Sequence, residues 1–153
     1  MRRVVDCAGH ALGELLDSGP EAAEISIIQY LFEEVNMFTS IYIYRVPRKN
    51  VEAFLRVQQE AASIYRRYGA LDDETFAPVD LQAKYGCMAF SDAFGVGKDE
   101  EVFVGLSRFR DRAHHDQVMA QVDSDDRIGE LYDKVMALLD VGRVVRGEFE
   151  RKD

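Results

Sequence analysis

The sequence is poor in the features that most readily betray a function. It has no tryptophan, two cysteines and three prolines in 153 residues. Cys7 and Cys87 stand far apart, without the paired spacing of a zinc site or a redox motif. Two reduced thiols in a cytoplasmic protein is the reading they support. No apolar run approaches the roughly 20 residues that a membrane-crossing helix requires. The opening Met-Arg-Arg-Val-Val-Asp-Cys is interrupted by Asp6 and then His10, so neither a signal peptide nor a lipid anchor at Cys7 is expected. Positive charge is also scarce: 19 Lys and Arg against 28 Asp and Glu leave a formal charge of -9. A nucleic-acid partner is not expected, because such binding draws most of its affinity from Lys and Arg on phosphates. The Gly-x-Gly at Gly95 and Gly97 leads into a strand pattern, so no helix end lends its amides to a phosphate there.

What the sequence does have is alternation. Thr39 to Val46 sets Ile41 and Ile43 against Tyr42 and Tyr44 with a period of two, and Val102 to Phe109 does the same; this is strand patterning. Both faces of each run are apolar, which places the two strands in the middle of a sheet. Between them, Val51, Phe54, Val57, Ala61, Ile64, Tyr65 and Tyr68 recur at helical steps, with Asn50 as the expected N-cap and Gly69 as a left-handed C-terminal cap. Ala70 to Pro78, crowded by Asp72, Asp73 and Glu74, reads as an edge strand, where charge and proline discourage stray pairing. A short extended piece is expected at Tyr85 to Phe90. Asp111 caps a further helix that pauses at Asp123-Ser124-Asp125-Asp126, resumes through Leu138 and ends by Gly142, before a last strand from Arg143 to Phe149.

From Met37 onward the order is strand, helix, strand, strand, helix, strand, a ferredoxin-like βαββαβ, α+β arrangement with both helices on one face of an antiparallel sheet. The aliphatic residues are expected to meet the helices, leaving Tyr42, Tyr44, Phe103 and Phe109 on the open face. An aromatic patch in water calls for a cover, and the simplest is the same face of a second copy, a homodimer joined sheet to sheet. Residues 1–36 stand apart, with seven acidic residues against two arginines. They read either as an amphipathic helix packed on the domain or as a loosely attached arm ahead of a natural start at Met37; the second reading is preferred.

Several short motifs carry a family likeness: Val46-Pro47 closing the first strand, Tyr68-Gly69-Ala70 with Glu74 following, Glu100-Glu101-Val102-Phe103, Ser124-Asp125-Asp126-Arg127-Ile128, and Arg143 with Gly147, Phe149 and Glu150. In these the stretch from Met37 resembles the YbaA-like family of bacterial proteins of unknown function, within the dimeric α/β-barrel superfamily. The resemblance implies a barrel-like dimer with a pocket between sheet and helices in each subunit, and no particular activity. Haem-degrading relatives in that superfamily use a tryptophan and an asparagine beside a histidine. This chain has no tryptophan and no asparagine in its first strand, so haem, like any other cofactor or metal, is not expected.

Candidate chemistry is sparse. His114 is the candidate base, since histidine titrates near neutrality and the start of the second helical region borders the pocket in related barrels. His115 cannot share its site, because neighbours on a helix diverge by roughly 100°. Tyr42, Tyr44, Ser107, Arg108 and Arg143 are the candidate ligand contacts, the tyrosines by stacking or hydrogen bonding and the arginines by clamping an anion. Interface packing for the tyrosines and pairing with carboxylates for the arginines are the preferred readings. Asp123, Asp125 and Asp126 read as helix caps rather than a cation site, and Cys87 lacks a neighbouring base. Two functions follow. One is a dimeric module that binds a small apolar or aromatic metabolite between sheet and helices. The other is a cofactor-independent monooxygenase- or isomerase-like enzyme with His114 as base. The first is preferred.

Overall fold

The computed structural model describes residues 37–152; the readings of residues 1–36 lie outside the described residues. The chain runs as β1 (Phe38–Pro47), a 3-10 turn (Arg48–Asn50), α1 (Val51–Arg67), β2 (Asp72–Phe76), a short α2 (Phe90–Ala93), β3 (Glu100–Phe109), α3 (Arg112–Val122), α4 (Asp126–Leu138), a second 3-10 turn (Val141–Arg143) and β4 (Val145–Glu150). The four strands form one antiparallel sheet in the order β2-β3-β1-β4. The two alternating runs are its centre, and the acidic Asp72-Asp73-Glu74 strand is an edge.

The face that meets the helices is the opposite of the one expected. In the β1–β3 register, Phe38 opposes Phe109, Ser40 opposes Ser107, Tyr42 opposes Gly105 and Tyr44 opposes Phe103. This set packs under α1, α3 and α4: Phe38, Phe103 and Phe109 are buried, and Tyr44 packs in the cluster around Phe54. The aliphatic set, Ile41 with Leu106 and Ile43 with Val104, lies on the other face. The phase follows from volume and charge. Rings fill the deep space between a sheet and a helix layer better than branched aliphatics do, and the aliphatic set also carries Arg45 and Arg108, which are cheaper to leave near water.

Local chemistry explains the element ends. Gly69 adopts φ +107°, its N–H bonds to the Arg66 carbonyl, and that of Ala70 reaches the Tyr65 carbonyl. This is a Schellman closure, which a residue with a Cβ adopts only under strain. Asn50 does not cap α1; its side-chain amide donates to the Leu138 carbonyl (2.7 Å) and so satisfies the last turn of α4. Asp111 accepts from the His114 N–H (2.7 Å), and Asp125 accepts from the Arg127 N–H (2.9 Å), capping α3 and α4. No strand forms at Tyr85 to Phe90. Tyr85 and Gly86 both take positive φ in a turn there, and α2 follows. α4 stops at Leu138, before Gly142, and β4 begins at Val145, after the second 3-10 turn.

Replacement of Gly69 by alanine tests the cap. The added methyl would meet only ordinary contacts, 3.7 Å from His114 and Val118, so the cost is one of backbone strain, about 1–2 kcal/mol. Urea unfolding of Gly69→Ala should show a loss of that size with an unchanged m-value; an unchanged midpoint would mean the cap is not under strain.

Candidate functional site

Reading the central strands as pairs shows where space opens between the layers. Large rings stand at both ends of the sheet's covered face. Tyr44, Phe54 and Phe103 form one cluster, with ring centroids 5.1 Å and 5.5 Å apart. Phe38, Phe109 and the buried His115 form the other, with the His115 ring 4.8 Å from Phe38 and 4.9 Å from Phe109. Between them the pairs shrink to Ser40–Ser107 and Tyr42–Gly105. The result is a cavity of about 260 Å³, of a size that suits a small ring compound.

Its floor is Tyr42, Tyr44, Gly105 and Ser107; its roof is Val57, Ala61 and Tyr65 of α1 and Ile128, Leu131, Tyr132 and Val135 of α4. Each helix contributes residues one turn apart, so a single stripe faces the hollow. Gly105 has a packing reason to be glycine: a Cβ there would stand 3.0 Å from the Tyr44 ring. Tyr42 and Tyr44 lie parallel, with centroids 5.9 Å apart. The Arg146 Nε–H donates to the Tyr42 hydroxyl (3.1 Å). Burial holds the Tyr44 and Tyr65 phenols above their ordinary range, so both remain hydrogen-bond donors.

The polar feature of this wall is Asp73. It opposes Ser107 in the β2–β3 register and therefore points to the helix side, while its neighbours Asp72 and Glu74 point away. The Ser107 hydroxyl donates to its carboxylate at 2.6 Å. Burial nevertheless outweighs that bond and the nearby Arg66 charge, with Asp72 and Glu74 adding repulsion, and pushes Asp73 from 3.8 up to about 6. Asp73 and Gln58 also line an outer groove between α1 and β2, with Ser63, Arg66 and Thr75. The carboxylate thus stands between an apolar interior and a polar exterior.

Of the residues singled out in the sequence, Tyr42, Tyr44 and Ser107 line the cavity. His114, Arg108 and Arg143 do not. His114 belongs to the α3 cap: its Nδ1 accepts from the Arg110 N–H (3.1 Å) and its ring meets Phe109 edge-on. Arg108 lies on the opposite sheet face, paired with Glu74 and, at 3.4 Å, with Asp72. Arg143 is exposed and donates to Glu100 (2.6 Å), holding that carboxyl below its ordinary range. Asp125 accepts from Tyr68 (2.8 Å) and Arg67 (2.6 Å) in addition to its cap. Cys87 is exposed. Among the described residues no group of three or more His, Cys, Asp or Glu is arranged to hold a metal ion, and no helix is long and apolar enough to cross a membrane. Sequence reasoning missed Asp73 by treating three acids as one edge decoration. Strand alternation alone requires that the middle acid face away from the other two.

Solved structures with this fold share little sequence with the chain. A protein from Methanosarcina mazei is 13% identical, with a TM-score of 0.56 over 80% of this chain and 99% of that one. A NIPSNAP family protein from Agrobacterium tumefaciens is 13% identical, with a TM-score of 0.53 over 76% and 94%. A variant of SnoaB, a cofactor-independent oxygenase from Streptomyces nogalater, is 15% identical, with a TM-score of 0.51 over 76% and 94%. At such identities the likeness speaks to fold alone. No curated protein sequence matches the chain. The class is therefore that of an α+β chain that shares its fold with these solved structures. Within it, the chain belongs to the DUF1428 family of proteins of unknown function, whose sequence pattern matches residues 37–139.

The raised Asp73 carries a signed consequence for stability. Because the folded state holds the proton more tightly than the unfolded chain, stability is highest below about pH 4 as far as this group is concerned, and falls as pH rises towards 6. Asp73→Asn removes that fall. The melting temperature of the variant should gain on the parent between pH 4 and pH 7; parallel curves would show that the carboxylate is not buried as described.

Proposed function

We propose that this protein binds a small, neutral aromatic or unsaturated molecule between sheet and helices, in a cytoplasmic homodimer of the YbaA-like kind. The observation that carries the reading is the chemistry of the cavity wall. It combines aliphatic side chains with four tyrosines, and no Lys, Arg or His is among its lining residues. An anionic ligand would meet the Asp73 carboxylate among lining residues that carry no positive charge, whereas a ring with a hydroxyl or carbonyl finds apolar walls and phenolic donors.

The dimer proposal passes from the aromatic face to the aliphatic one. Ile41, Ile43, Val104 and Leu106 share that face with Val145 and Phe149, which are 42% and 57% exposed. An apolar face of this extent in water marks an interface, and its residue types are those of sheet-to-sheet packing. A second reading, a cofactor-independent oxygenase- or isomerase-like enzyme, gains from one observation: the cavity holds a carboxylate tuned upward by burial. In that reading the base is Asp73, because His114 lies outside the cavity.

Two measurements test these readings. Neutral phenols and quinones should raise the melting temperature, whereas benzoates should not. Ala61→Phe, which fills the hollow, should weaken binding at least about tenfold; an undiminished shift would place the ligand elsewhere. Sedimentation should find a dimer at micromolar concentration, and the pair Val145→Lys and Phe149→Lys, exposed in the single chain, should split it without lowering helix content. A parent that sediments as one chain would end the dimer proposal.

A further inference from the structure

Resting on the ligand cavity just described, the geometry points to a proton-transfer site: Asp73 takes a proton from a carbon beside a carbonyl and returns it to another carbon of the same molecule, the substrate being a small, neutral, ring-sized unsaturated ketone. Three features of position single it out. Glu74 also borders the hollow, but its carboxylate pairs with Arg108 on the other face, which leaves Asp73 as the lining acid turned inward. It is oriented by the Ser107 hydroxyl at 2.6 Å, which leaves its second oxygen for a substrate C–H. The Tyr44 and Tyr65 phenols line the same hollow and keep their protons, so either can donate to an enolate oxygen.

The step balances without any co-reactant. The C–H bond breaks and an O–H bond forms on Asp73, while the electron pair moves onto the substrate as a dienolate whose oxygen is hydrogen-bonded by a tyrosine. Return of the proton to the far carbon forms the new C–H bond, restores the carboxylate and leaves a conjugated isomer. Nothing is oxidised or reduced. A carboxylate at its ordinary acidity is a poor acceptor for such a proton, and burial in an apolar wall is the means by which it becomes a better one. The groups facing it are Arg66 and Tyr65 from α1, Asp72 and Glu74 from its own strand, Ser107 from β3 and Tyr44 from β1. Because Asp73 also borders the outer groove, the captured proton can exchange with water before it is returned.

The test uses the full chain with two probes, a β,γ-unsaturated cyclohexenone and β-tetralone. Binding is followed by thermal shift, isomerisation by ultraviolet absorbance, and exchange of the β-tetralone C–H in deuterium oxide by NMR. The parent should conjugate the first probe and exchange the second, with a rate that rises through pH 6. Asp73→Asn should bind β-tetralone as the parent does, yet lose at least about a hundredfold in rate. Ser107→Ala should move the pH midpoint upward, because the lost hydrogen bond favoured the ionised form; this variant stands in if Asp73→Asn does not fold. Binding without exchange, an active Asp73→Asn, or an unmoved midpoint in Ser107→Ala each overturns the assignment and leaves the binding reading intact. Failure of either probe to bind overturns both.

Discussion

Two groups of tilted and edge-on rings set the spacing on which the rest depends. Tyr44, Phe54 and Phe103 at one end and Phe38, Phe109 and His115 at the other act as pillars between sheet and helices. The small residues Ser40, Gly105 and Ser107 lie between them, and the helices cannot settle onto the sheet there without displacing the rings. The hollow of about 260 Å³ that these pillars keep open reaches the surface, where Tyr132 of its lining is 53% exposed.

The sequence revealed the four strands and the long helices in their order from periodicity and capping residues, and it even marked the edge strand by its acids. It did not reveal which face of the central strands turns inward. Period-two alternation establishes that two faces exist, but when both are apolar the phase has to be decided by other signals. Those signals were present in Arg45 and Arg108, both on the aliphatic side, whose charges mark the face left outside. Weighing aliphatic against aromatic character instead put the tyrosines on the wrong surface, although the pocket was expected between sheet and helices, where the hollow lies.

The site was partly legible for a related reason. Tyr42, Tyr44 and Ser107 stood out by residue type and do line the hollow, whereas His114 and the two arginines stood out by type alone. Their neighbours explain why they lie elsewhere: Asp111 fixes the turn in which His114 bonds, and Glu74 and Glu100 engage the guanidinium groups. Asp73 is the converse case. Nothing in its residue type distinguishes it from Asp72, and only its parity on β2 turns it from a solvated edge charge into a desolvated acid.

The attachments of α1 to α4 carry one more consequence. At one end the Asn50 amide grips the Leu138 carbonyl, and at the other Arg67 and Tyr68 both hold Asp125, the cap of α4. The two helices are thus pinned together at each extremity, and a guest has no way to part them like shutters. The polar side of the hollow is the seam between α1 and the five-residue strand β2, where Gln58 and Asp73 line both the hollow and the outer groove. A traveller entering there would brush past Gln58 and Arg66 and meet Asp73 at the threshold, so that the residue best suited to chemistry would also be the gatekeeper.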